Sequence, residues 1–146
     1  MKAVYIAPRQ PLISSAEGLA RRPVNEIMSQ PVACVSTGTP LGEALRAMVR
    51  LRHRHLVVVD DDERCVGVLS DRAIAAAWAH DPTSLDREKA GGMLPVVSPT
   101  VGQHARVLDA ARMMRDTGTD AVVIADEAGA PIGIVTGTDL VGLLAR

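Results

Sequence analysis

Two short stretches of the chain place a hydroxyl residue where an aliphatic strand leads into a helix. Residues 133–140 read GIVTGTDL, with Thr136 at the helix start and Asp139 one turn in. A helix start offers unpaired backbone N–H groups to a phosphate, which the Thr136 hydroxyl can also bond. The Asp139 carboxylate can accept from vicinal hydroxyls such as those of a ribose, and Gly133 would allow close backbone approach. Residues 67–74 read GVLSDRAI, which has Ser70 in place of Thr136 but Ala73 in place of Asp139.

The same spacing also fits a purely structural role. Thr-x-x-Asp resembles a capping box, in which the hydroxyl caps the helix and the acid reaches back to its start. An acidic residue in the first turn is favourable in any case. From Thr136 and Asp139 alone, capping and ligand binding both stay open.

These stretches belong to an internal repeat. Gly67 and Gly133 lie 66 residues apart, and the same offset aligns the chain without a gap from Val35 and Val101 to its end. Two copies are too few for a solenoid and favour a paired, pseudo-symmetric module. Apolar periodicity predicts β-α-β-β-α in each copy, an α+β fold. The predicted strands are 32–35, 55–59, 65–69, 98–101, 121–125 and 131–135, and the second helix of each copy spans 71–79 or 137–145.

The first helix of each copy is predicted from apolar residues at helical spacing, with methionines as core filler. Gly118 is predicted to cap the second of these helices at its C-terminus. We expect an N-terminal arm at 1–22, repeat one at 23–80, a linker at 81–90 and repeat two at 91–146. Gly91 and Gly92 are expected to loosen the approach to repeat two.

Composition narrows the possible function classes. The chain has 146 residues, is 47% hydrophobic and carries a net charge of −1, so it lacks the basic footprint of a nucleic-acid binder. No apolar run reaches the ~18–20 residues that span a bilayer, and the N-terminus has no signal-peptide core. We therefore expect a cytoplasmic protein. No nucleophile–base set and no phosphate-binding P-loop is present, which argues against an enzyme.

One local basic run, Arg50 to His55, allows two interpretations. It is either a solvated helix end or an anion site. His53 and His55 could share one face of a strand as metal ligands do, but no third ligand is obvious nearby, and we expect no metal.

The residues in this order resemble the CBS-domain family. The resemblance rests on RHLVVVDDDERCVGVLSDRAI and DAVVIADEAGAPIGIVTGTDL, with IMSQPVACVSTGTPLGEALRAM and MLPVVSPTVGQHARVLDAARMM upstream. It implies a CBS pair, or Bateman module, over residues 24–146. Such modules are regulatory, commonly form disc-like homodimers and sense AMP, ADP, ATP, S-adenosylmethionine or NAD-type ligands between the repeats. The family's hydroxyl meets phosphate and its acid meets ribose, which implies these roles for Thr136 and Asp139.

The resemblance also implies where the base is held. In copy two, the base-clamping stretches place Thr100, Thr119, Asp120, Ala121 and Val122 beside Thr136 and Asp139. Copy one departs from the pattern at Ala73, which cannot accept from a ribose. A weaker second site there would use Ser70, Arg72, Arg54 and His55.

We therefore expect a regulatory module for an adenosine-containing ligand. It would need no cofactor, form a homodimer and act on an unknown target protein. The alternative is a structural or protein-interaction dimer that kept the fold and senses no ligand.

Overall fold

A computed structural model describes residues 18–145, so most of the predicted arm, residues 1–17, lies outside the described residues. Repeat one contains β1 (Cys34–Ser36), α1 (Leu41–Leu51), β2 (His55–Val59), β3 (Cys65–Ser70) and α2 (Asp71–His80). A short helix, α3 (Ser84–Arg87), follows. Repeat two contains β4 (Thr100–Gly102), α4 (Val107–Thr117), β5 (Ala121–Ala125), β6 (Pro131–Thr136) and α5 (Gly137–Leu144). The predicted α+β class and β-α-β-β-α order are confirmed.

Each repeat has its own three-stranded sheet with the same topology. β1 pairs in parallel with β2, which forms an antiparallel hairpin with β3; β4, β5 and β6 repeat this arrangement. Both hairpin turns close on an aspartate at the end of the preceding strand. Asp60 Oδ1 accepts from two backbone N–H groups of its turn, and Asp126 Oδ1 does the same in the second hairpin. These carboxylates explain why an acidic turn follows each aliphatic strand.

The aliphatic residues form two separate cores, one for each sheet. Helix α1 buries Leu41 and Met48 against the first sheet, and Ala110 of α4 belongs to the second core. Val49, which follows Met48 on α1, is apolar but 72% exposed, so it does not belong to the buried face of the helix. Gly118 ends α4 in the left-handed conformation, as predicted.

The segment that leads into the first strand of each repeat packs on the core of the other repeat. Val24 is fully buried in the second core, and its N–H donates to the Ala105 carbonyl at 2.9 Å. The equivalent residue Ala90 is fully buried in the first core, and its N–H donates to the Thr39 carbonyl at 2.8 Å. The two repeats therefore complete each other's cores through a reciprocal exchange.

This exchange corrects the expectation for the glycines between the repeats. The stretch between α2 and β4 is not loose, since it contains α3 and a 3-10 helix, Ala90–Met93. Gly91 is packed so closely that an added Cβ would lie 2.9 Å from Thr37 Cβ. Gly91 therefore serves close packing on repeat one, whereas an added Cβ on Gly92 would meet only Glu88 Oε2, at 3.8 Å. No helix within residues 18–145 is both long and apolar enough to cross a membrane.

Two glycines at equivalent positions of β3 and β6 make room for the exchanged segments. A Cβ on Gly133 would lie 2.7 Å from Met28 Cγ and collide with Met28 Sδ. A Cβ on Gly67 would lie 3.0 Å from Leu94 Cδ1. We expected Gly133 to allow a close approach to the backbone. The group that approaches it is the Met28 side chain of the protein itself.

We expect Gly133→Ala to destabilise the protein by about 1–3 kcal/mol, because the methyl group overpacks a site that Met28 already fills. Gly67→Ala should cost less, since the ends of Leu94 can move aside by a few tenths of an ångström. Equilibrium unfolding in urea measures both changes.

Gly102→Ala is the matched control, because no atom lies within 4 Å of a Cβ added there. Equal stabilities of Gly133→Ala and Gly102→Ala would contradict the packing role of Gly133. Gly133→Ala should cost less stability in a Met28→Ala background than in the wild type, because the side chain that the new methyl group would overlap is then absent.

Candidate functional site

Two clefts lie between the repeats, and each takes residues from both. Cleft one has a volume of about 780 Å³. Repeat one and the segment before it supply residues 29–33, residues 52–55 and Val57 to its lining. Repeat two supplies Asp120, Ile134, Thr136, Gly137, Thr138 and Val141. The cleft therefore opens over the start of α5, where Thr136 is the last residue of β6.

Thr136 and Asp139 form the helix cap that the spacing allowed. Asp139 Oδ2 accepts from the Thr136 backbone N–H at 2.8 Å and from the Thr136 hydroxyl at 3.3 Å. The second carboxylate oxygen, Oδ1, accepts from the Ser29 hydroxyl at 3.4 Å. Ser29 lines cleft one and belongs to the exchanged segment, so the cap and the cleft wall meet in one polar corner. We call Ser29, Thr136 and Asp139 the polar corner.

Cleft two has a volume of about 460 Å³. Repeat one supplies His55, Val68, Ser70, Arg72 and Ala73, and repeat two supplies residues 93–95, Pro99 and residues 118–121. Its helix start is capped more simply, because the Ser70 hydroxyl accepts from the Ala73 N–H at 3.1 Å. Without a carboxylate at Ala73, cleft two has no counterpart to the acid of the polar corner.

A polar contact lies in the wall that the two clefts share. His55 Nε2 lies 2.8 Å from Asp120 Oδ1, and both residues line both clefts. Partial burial would raise the pKa of Asp120, but the hydrogen bond and electrostatic interaction with His55, a backbone hydrogen bond and the positive charge of Arg54 together outweigh it. The pKa of Asp120 therefore lies below its ordinary value, and the carboxylate stays ionised beside the imidazole.

The structure divides the residues predicted for one site between the two clefts. Thr136 lines cleft one, and Asp139 reaches it through Ser29. Thr119 and Ala121 line cleft two instead, because a cleft at the seam pairs the helix start of one repeat with the strand start of the other. Asp120 lines both clefts.

Three other residues predicted for that site line neither cleft. Val122 is fully buried in the second core, and Gly133 lies under Met28. The Thr100 hydroxyl lies 2.8 Å from the Ser98 hydroxyl. These three residues therefore belong to the strands of the second sheet and not to a cleft lining.

The residues of the second predicted site are divided as well. Ser70 and Arg72 line cleft two, His55 lines both clefts, and Arg54 lines cleft one. Arg54 Nε lies 3.4 Å from Asp71 Oδ2 at the exposed rim.

Sequence reasoning missed the contribution of residues 29–33 to cleft one. The repeat alignment begins at Val35 and does not reach this segment, so the pattern gave no signal for it. Its location depends on the exchange, which carries it to the opposite repeat. Within residues 18–145, no three His, Cys, Asp or Glu side chains come together as a metal site.

Comparison with known proteins agrees with this architecture. The sequence profile of the CBS domain matches residues 24–80 and 93–146. A CBS domain-containing protein of Dictyostelium discoideum is 26% identical over 132 residues, which cover 84% of this chain and 91% of that protein.

Solved structures share the fold of the whole described module. A CBS domain pair in complex with 5′-methylthioadenosine and S-adenosyl-L-methionine has a TM-score of 0.76 at 22% identity, over 86% of this chain and 97% of that one. CBSX2 in complex with AMP has a TM-score of 0.71 at 24% identity, over 85% of this chain and 96% of that one. The chain belongs to the CBS-domain family, with two CBS domains in tandem.

Proposed function

We propose that the chain is a regulatory module that binds an adenosine-containing ligand in cleft one. The observation that carries the proposal is the polar corner, where the Thr136 hydroxyl lies at the wall of the larger cleft and the Asp139 carboxylate reaches that wall through Ser29. The Thr136 hydroxyl is available to a phosphate if it turns away from Asp139. Asp139 Oδ1, now 3.4 Å from the Ser29 hydroxyl, is available to the hydroxyls of a ribose.

The size and lining of cleft one support a ligand of this class. Its volume of about 780 Å³ lies within the ~300–1,000 Å³ typical of small-molecule sites. Pro31, Val32, Ile134 and Val141 give it an apolar part that could cover a base without aromatic stacking. Two relatives of the same fold were solved with adenosine-containing ligands, one with AMP and one with 5′-methylthioadenosine and S-adenosyl-L-methionine.

The position of cleft one explains how binding could regulate. A ligand there would contact residues 29–33 and 52–55 on one side and the start of α5 on the other. It would bind best to the arrangement of the repeats that closes on it, and so shift the population toward that arrangement. The chain would then act as a sensor for a target protein, and a cytoplasmic location stays a prediction from the sequence.

A second candidate is a CBS module that senses no ligand. It is favoured by the completeness of the helix cap, because Asp139 Oδ2 is already satisfied by Thr136. It is also favoured by Ala73, which removes the acid from the equivalent position of cleft two. The two candidates differ in what Asp139 does besides capping.

We expect Asp139→Ala to lower the affinity for AMP or ATP by about tenfold to a hundredfold, the loss of one charge-assisted hydrogen bond. The same change should destabilise the fold by about 0.3–1 kcal/mol through the lost cap. Isothermal calorimetry measures the affinity, and urea unfolding measures the stability.

Asp109→Ala is the matched control. Asp109 Oδ2 accepts from the Arg106 N–H at 2.9 Å at the start of α4, outside both clefts. Asp109→Ala removes a similar cap and should leave the affinity for AMP or ATP unchanged. If the wild type binds none of AMP, ADP, ATP, NADH and S-adenosylmethionine, the module without ligand sensing is the better description. If a ligand binds to Asp139→Ala as tightly as to the wild type, Asp139 only caps the helix and the polar corner does not carry the binding.

We also propose that two copies of the chain associate as a homodimer. Trp78 of α2 is 53% exposed, and Leu144, at the equivalent position of α5, is 70% exposed. Large apolar side chains exposed at corresponding positions of two helices mark a surface that association would cover.

Replacing Trp78 with arginine should raise the dissociation constant of the dimer more than tenfold, because a charge would be buried at the contact. Light scattering after size-exclusion chromatography measures the mass as a function of concentration. Val96→Arg is the control, since Val96 is fully exposed in the stretch between α3 and β4. A wild type that is monomeric at every concentration would refute the dimer.

A further inference from the structure

The two clefts carry different charges at equivalent positions. Residues 52–55 read RHRH and line cleft one. Residues 118–121, each 66 positions later, read GTDA and line cleft two. Cleft one thus has two arginines and two histidines where the equivalent stretch of cleft two has no basic residue.

Arg52 has a backbone conformation that residues other than glycine rarely adopt. It follows α1 in the left-handed conformation, with φ 58° and ψ 38°. Gly118, its equivalent after α4, has φ 66° and ψ 24°. Glycine is the usual residue in this conformation because a side chain strains it. Arg52 is exposed and lines cleft one, so its side chain contributes to the cleft and not to a core.

The charges nearby do not neutralise Arg52. Among the described residues, Arg52 forms no ion pair, while Arg54 is paired with Asp71. Of the acidic groups at cleft one, the Asp120 carboxylate in the lining lies 2.8 Å from His55 Nε2, and the Asp139 carboxylate of the polar corner accepts from Thr136 and Ser29. This leaves Arg52 as an uncompensated positive charge in cleft one.

The charges that line cleft two are balanced by comparison. Its lining contains one arginine, Arg72, and one acidic residue, Asp120, which it shares with cleft one. Thr138 takes the place of Arg72 in cleft one. The difference between the clefts is therefore carried by residues 52–54 and their counterparts.

We infer that the two clefts sort ligands by charge: cleft one selects phosphorylated ligands, with Arg52 as the selecting residue, and cleft two does not. The inference deepens the proposed function, on which its adenosine part rests. A guanidinium in a partly enclosed cleft attracts phosphate oxygens through charge-assisted hydrogen bonds and repels a sulfonium cation. ATP should therefore prefer cleft one, and S-adenosylmethionine should not bind there.

The test compares ATP, adenosine, S-adenosylmethionine and inorganic tripolyphosphate by calorimetry on the full chain. The wild type should bind ATP at least about tenfold more tightly than adenosine, which corresponds to one charged contact. Arg52→Gly should abolish most of that difference and weaken tripolyphosphate binding, while adenosine binding stays unchanged. The melting temperature of Arg52→Gly should not fall, because glycine accepts the left-handed backbone, and this separates lost charge from lost fold.

Arg112→Ala is the control for net charge. Arg112 is exposed on α4 and lines neither cleft, so its removal should leave all four affinities unchanged. A loss of ATP affinity in Arg112→Ala equal to that in Arg52→Gly would overturn the role of Arg52.

The other outcomes separate the inference from the proposed function. If ATP and adenosine bind equally and Arg52→Gly changes neither, charge selection is overturned while recognition of adenosine stands. If tripolyphosphate binds through Arg52 as tightly as ATP and adenosine does not bind, charge selection stands and recognition of adenosine fails. If none of the four probes binds, both are overturned.

Discussion

The structure depends on the reciprocal exchange of the segments that precede the two repeats. Each three-stranded sheet leaves a gap in its core, and the segment that fills it comes from before the other repeat. Val24 and Ala90 do this through burial, and Met28 and Leu94 do it by packing over a glycine of the outer strand. Neither core is complete without the other repeat, so the pair folds as a unit.

This exchange also determines where ligands can bind. Because each segment crosses the seam, the clefts there combine the helix start of one repeat with the loops of the other. The polar corner shows the result: the Asp139 cap is local to repeat two, and the Ser29 hydroxyl that meets it arrives from before repeat one. A capping box that is ordinary in isolation becomes a candidate recognition site because of what the exchange brings beside it. The second cleft has the same architecture, but Ala73 and Gly118 deprive it of the acid and of the cation that mark the first.

Much of the fold was predictable because it follows from local pattern. The aliphatic runs at 55–59 and 121–125 and the acidic turns after them specify the hairpins, and the 66-residue offset specifies the pairing of the copies. The composition of each cleft was not predictable from local pattern. Thr119 and Ala121 were assigned to the site of Thr136 and line the other cleft, since their partners are decided by packing between the repeats. The same long-range packing gave Gly133 a side chain as its neighbour instead of a ligand.

A crystal structure of the protein grown with ATP would show whether cleft one binds an adenosine-containing ligand. The account predicts density for the ligand in cleft one, with its phosphates beside Thr136 and Arg52 and its ribose toward Asp139. Residues on both sides of the seam should contact it. Density in cleft two alone, or an empty cleft one at saturating ATP, would contradict the account.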